Sequence, residues 1–136
     1  MARFKTNDEH LRIFQALCEK WLSNFGIKSY VTSFRRASMS AMATVSVRVN
    51  SRSARFKLAT SWPEEVLPSL LERCAVHECL HVLTAQLVAE ALPSTTDVQI
   101  PADPQRVDRE EEALVVTLEN FIVKYLRWSL AEPYAN

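Results

Sequence analysis

The chain has 136 residues, of which 48% are hydrophobic and 24% charged, and its formal net charge is zero. That length and balance suit one compact domain over residues 1–136 and argue against a disordered or fibrous chain. Charges break every apolar run well before the roughly 18 residues of a membrane span, and the first ten residues lack the apolar stretch of a secretory signal, so no membrane partner is expected.

The first predicted element is a helix over residues 7–25. Thr6 and Glu9 stand at capping-box spacing, and Leu11, Phe14, Leu17, Cys18, Trp21, Leu22 and Phe25 recur at helical intervals. Gly26 is the only glycine in the chain and stands where a helix C′ residue belongs.

Residues 27–60 change period. "IKSYVTSF", "ATVSVRVN" and "ARFKLAT" are rich in β-branched residues and alternate apolar with polar. Ile27, Tyr30, Val31, Val45, Val47, Val49, Phe56 and Leu58 are the expected inward positions, and "NSRS" at 50–53 is the expected hairpin turn. A three-stranded antiparallel sheet is the simplest reading. The segment from Lys28 to Lys57 also carries seven Lys and Arg and no Asp or Glu, so overall neutrality hides a basic half.

Ser61-Trp62-Pro63-Glu64 reads as the opening of a helical region that Pro68 interrupts. From Ser69 the apolar spacing is helical to Leu92, and Pro93 ends it. A polar loop over 93–103 follows. Asp103-Pro104 then starts a last helix that runs to about Leu130. The order α-β-β-β-α-α makes an α+β domain: a helix, the sheet, a second helix and a C-terminal helix.

The second helix carries "HECLH", His77-Glu78-Cys79-Leu80-His81. Residues four apart on a helix lie about 40° apart around the axis and about 6 Å along it, so two imidazoles at this spacing reach one tetrahedral Zn²⁺. Glu78, one residue on from His77, falls beside such an ion without ligating it, where a general base takes a proton from an activated water. Cys74 faces nearly the same way, but it lies about 10.5 Å from position 81 along the axis, too far to share the ion. Cys18, Cys74 and Cys79 are an odd number with no paired framework. They read as small buried side chains in a reducing, cytoplasmic setting.

A catalytic zinc needs a third protein ligand. His10, the only other histidine, falls in the first turn of the first helix. The run "DREEEALVVTLEN" on the last helix is the richer source. Its expected apolar face is Leu114, Val115, Leu118, Phe121, Ile122 and Tyr125, and stepping back along it reaches Glu111. A charge run at a helix start is usually a solvated cap. A carboxylate on the apolar face is costly unless paired or metal-bound, which favours Glu111 as ligand, with Glu112 the nearer competitor and Glu110 the other.

With these residues in view, the chain resembles a zincin metallopeptidase. Its HExxH helix, followed by "EEALV" at 111–115, is similar to the small single-domain minigluzincin and phage-type metallopeptidases of the gluzincin branch. The resemblance implies His77, His81 and Glu111 as zinc ligands, Glu78 as the base, and a peptide or protein as substrate. Families that complete the HExxH pair with a downstream histidine fit worse, since none follows His81. Cys79 stands where a larger aliphatic residue is more usual, and Tyr125 and Tyr134 are the open candidates for stabilising the oxyanion. The rival reading is a non-catalytic module that uses the basic 28–57 segment to bind nucleic acid or another polyanion.

Overall fold

The first helix, α1, spans Asp8–Asn24. Its cap is Asn7 rather than Thr6: the Asn7 side chain accepts from the His10 amide at 2.8 Å, and the Asn7 amide donates to His10 Nδ1 at 3.1 Å. Thr6 is withdrawn from the capping role by a stronger claim. It is buried, and its hydroxyl donates to the Ala59 carbonyl at 2.7 Å, which ties the start of the helix to the sheet. The other end closes as expected. Gly26 takes φ +76°, its amide donates to Ser23 O, and the Ile27 amide donates to Leu22 O at 2.8 Å, a Schellman motif.

The structure is a computed structural model that describes residues 3–91, 109 and 111–124. The expected 93–103 loop, the Asp103-Pro104 helix start and the helix end near Leu130 lie outside the described residues. Phe4–Lys5 (β1) pairs antiparallel with Ser61–Trp62 (β5) as a two-stranded ribbon. Ser61-Trp62 is thus strand, not helix opening; Trp62 is fully buried, and its indole N–H donates to Met42 O at 3.0 Å.

The main sheet comprises β2 (Val31–Ala37), β3 (Ala43–Arg48) and β4 (Ser53–Ala59) in the order β2-β4-β3. β3 and β4 form the expected antiparallel hairpin, but β2 runs parallel to β4, so the sheet is mixed rather than wholly antiparallel. The difference has a simple source. Side chains alternate with period two in either direction, so the pattern carries no sign for strand polarity. The register aligns Phe34, Phe56 and Val45 on the inner face. Phe34 and Phe56 stack at 4.8 Å, and Phe14 of α1 meets both edge-on at 6.3 Å. This parity turns Val31 outward, 74% exposed, against the expectation that it faces the core.

Helix α2 spans Pro68–Ala91, with Pro68 at its first position, where the missing N–H costs nothing. It packs on α1 and on β3. Leu71, Ala75, Val76, Cys79, Leu80 and Val82 supply its buried face. Cys18 and Cys79 are buried and Cys74 half-buried, all three as free thiols. A C-terminal helix, α3, covers residues 111–124. Its buried line runs through Val115 and Glu119, with Leu118 and Ile122 packed beside them, whereas Leu114 and Phe121 are 50% and 71% exposed. The apolar face is therefore rotated from the expected one. No helix among the described residues is long and apolar enough to cross a membrane.

Candidate metal centre

The middle of α2 brings His77, Glu78 and His81 to the edge of the core. Val76 and Leu80 beside them are buried, which anchors the helix and sets the direction of the imidazoles. Both imidazoles are about one-fifth exposed, and their Nε2 atoms are 3.2 Å apart. The Glu78 side chain is nearly buried, and its Oε1 lies 4.0 Å from His77 Nε2. Ligand atoms of these three residues lie within 4.8 Å of one another.

Helix α3 supplies carboxylates to both nitrogens of each ring. Glu112 lies across the pair: Oε1 is 3.1 Å from His77 Nε2, and Oε2 is 3.0 Å from His81 Nε2. Glu111 does not reach that side. Its Oε1 is 3.3 Å from His81 Nδ1 and accepts from the Thr84 hydroxyl at 3.0 Å. Glu119 does for His77 what Glu111 does for His81, with Oε2 at 2.9 Å from Nδ1. Arg73 holds Glu119 from behind, its Nε donating to Oε1 at 3.2 Å.

The sequence reading put Glu111 at the ion. The geometry instead gives the Nε2 side to Glu112, the residue weighed as its competitor, and turns Glu111 to the opposite nitrogen. Glu110, Tyr125 and Tyr134 lie outside the described residues. His10 is at the cap of α1, away from this cluster. Glu119 and Thr84 were not singled out from sequence. Glu119 was findable, because it stands four residues after buried Val115 and eight after Glu111, on one helical stripe.

Carboxylates face all four ring nitrogens, Glu119 and Glu111 at Nδ1 and Glu112 at Nε2, so positive charge among them, carried by ring protons or by a bound cation, stabilises the cluster. The spacing suits an ion. Zinc bonds of about 2.0–2.1 Å at tetrahedral angles put neighbouring donors about 3.3–3.4 Å apart, close to the separations here. A carboxylate behind each imidazole is also the usual outer support of a metal-bound histidine.

Glu78 is pushed up from its ordinary 4.5 to about 8, first by burial and then by the Glu112 and Glu119 carboxylates. A dication beside it opposes that shift. The Cys74 thiol is pushed up to about 12, again by burial first and then by Glu78 and Glu119, which leaves it protonated at neutral pH. A cleft of about 490 Å³ opens over the histidines, Glu78 and Glu112, with Val45 and Val47 of β3 on its far wall. β3 is an edge strand among the described strands of the sheet, with one side of its backbone unpaired by any of them. A smaller cavity of about 200 Å³, lined by Met42, Leu70, Cys74 and Arg73, adjoins His77 and Glu78. No family model, curated protein or solved structure matches the chain.

Proposed function

We propose that the chain is a zinc-dependent metallopeptidase, with His77, His81 and Glu112 as metal ligands and Glu78 as general base. One observation carries the reading. The Nε2 atoms of two imidazoles and the Glu112 carboxylate converge at ion-coordination spacing, and each ring has a further carboxylate at its Nδ1. Two imidazoles and one carboxylate form the donor set of catalytic zinc sites that keep a fourth position open. When bound, zinc polarises a carbonyl and acidifies a water.

The remaining steps belong to the chain. Glu78 accepts a proton from the attacking water and passes it to the leaving amine. A carboxylate that takes the proton as base returns it as acid within one turnover. Glu119 and Glu111 hold the two rings in the Nδ1–H tautomer, so that Nε2 stays free for the ion. The free edge of β3 binds substrate as an added strand across the cleft. The resemblance to small gluzincins supports the same chemistry, with the third ligand moved by one residue.

The test separates metal binding from catalysis. The purified chain loaded with zinc and passed through a desalting column is expected to retain one zinc per chain and to cleave an unstructured protein such as casein. Glu78→Gln is expected to retain the zinc and lose cleavage. A wild-type chain that retains no zinc ends the proposal.

A further inference from the structure

The outer face of the main sheet takes no part in the metal site, because α1 and α2 pack on its other side. The register sets out what this face carries. Arg35 of β2 is opposite Lys57 of β4, and Ser33 and Ser46 flank Arg55 from the two sides. Arg48 ends β3 on the same face, two residues beyond Ser46. Arg35, Arg48 and Arg55 are exposed and Lys57 half-exposed. No described carboxylate lies within 4 Å of any of the four. Neighbouring strands are about 4.8 Å apart and same-face neighbours along a strand about 6.7 Å, so the four cations share a patch about 16 Å across. A concavity of about 320 Å³ lies among Ser33, Arg35, Ser46, Arg55 and Lys57.

We infer that this face binds the phosphodiester backbone of a nucleic-acid duplex, without reading its sequence. Cations interleaved with hydroxyl donors match phosphate oxygens, which take charge-assisted and neutral hydrogen bonds together. Among the described residues the face has no exposed aromatic ring on which a splayed base stacks, which favours a duplex over a single strand. Among the described residues it also lacks the apolar or aromatic centre of a protein interface, since Val31 at its corner is the one exposed large apolar side chain described there. Glu78, Glu111 and Glu112 line the cleft between α2 and β3 and are not among the groups that line the concavity of this face. Zero net charge is therefore compatible with a locally cationic surface. This face needs no metal, so its failure and that of the peptidase reading are independent.

The experiment is anisotropy of a labelled 20-base-pair DNA duplex titrated with the full chain at several salt concentrations. Four phosphate contacts give a log–log salt slope of about −3.6 and about a 150-fold loss of affinity between 50 and 200 mM salt. Arg35→Gln/Arg55→Gln/Lys57→Gln is expected to bring the slope to about −0.9 and to leave zinc content unchanged. Arg55→Gln alone, at a fully outward position, is expected to reduce the slope by about 0.9, which keeps the test open if the triple variant folds poorly. No binding at 50 mM salt overturns the inference, as does a slope that the single variant leaves unmoved. Tighter binding of polyglutamate than of the duplex also overturns it and assigns the face to an acidic protein.

Discussion

Replacing Glu112 by glutamine removes one negative charge from the Nε2 side of the histidine pair and leaves a side chain of the same shape. The Glu112 oxygens lie 3.1 and 3.0 Å from the two Nε2 atoms. Were zinc held by both nitrogens and one of those oxygens, the zinc–oxygen bond would be about 2.1 Å. Even at the dielectric constant of water, a single charge about 2.1 Å from a dication is worth about 4 kcal/mol, close to a thousandfold in affinity. Glu111 is the matched control. Its oxygen is 3.3 Å from His81 Nδ1, and the imidazole stands between it and the ion. At a distance of roughly 7 Å the same charge is worth about 1.2 kcal/mol, near tenfold, at the low end of the roughly 10–100-fold usual for outer-shell partners. Competition for zinc with a chromophoric chelator at pH 7.5 measures both variants. Glu112→Gln is expected to weaken zinc about a thousandfold and Glu111→Gln about tenfold. Equal losses, or a larger loss for Glu111→Gln, refute the assignment of the two carboxylates.

Three further outcomes follow from the packing and the charges. Glu78 titrates near 8 in the folded chain against an ordinary 4.5, so the fold favours its protonated form. That contribution is complete below about pH 4.5 and is lost as pH rises toward 8. In chelator, Glu78→Gln should gain on the wild type by up to a few kcal/mol between pH 5 and pH 8, as read by urea unfolding. A constant difference across that range contradicts the burial of the charge. Phe56→Ala removes a ring that is 1% exposed and stacked on Phe34, and should cost about 3–5 kcal/mol in the same assay. Gly26→Ala places a Cβ in open space but at φ +76°, so a loss of about 1–2 kcal/mol is expected from backbone conformation alone, and a neutral result means the turn relaxes.

How much was legible depends on the distance over which each feature is decided. The pairing of His77 with His81 and the place of Glu78 beside them follow from one helical turn. So does the stop at Gly26, since the residues concerned lie within five positions of each other. The choice between Glu111 and Glu112 does not. Adjacent helical residues point about 100° apart, and only the docking of α3 on α2 decides which of them meets Nε2. The apolar residues Leu114 and Phe121 pulled the expected face the wrong way, because an exposed leucine or phenylalanine is indistinguishable from a buried one in a periodicity count. Glu119 was overlooked for the converse reason: a carboxylate on a buried stripe breaks the pattern by which the stripe is recognised.

By itself, the order of residues determined the α+β class, the stop of the first helix at Gly26 and the two imidazoles one turn apart. These are set by hydrogen bonds and rotamers within a few residues. Only the tertiary structure decided that β2 lies parallel to β4, that Glu112 faces the Nε2 atoms of the rings while Glu111 and Glu119 face the Nδ1 atoms, and that the basic strands present their cations together. Those outcomes depend on how separate elements dock, and docking is governed by the summed packing of Phe14, Phe34, Phe56, Val76, Leu80 and Val115 rather than by any local pattern.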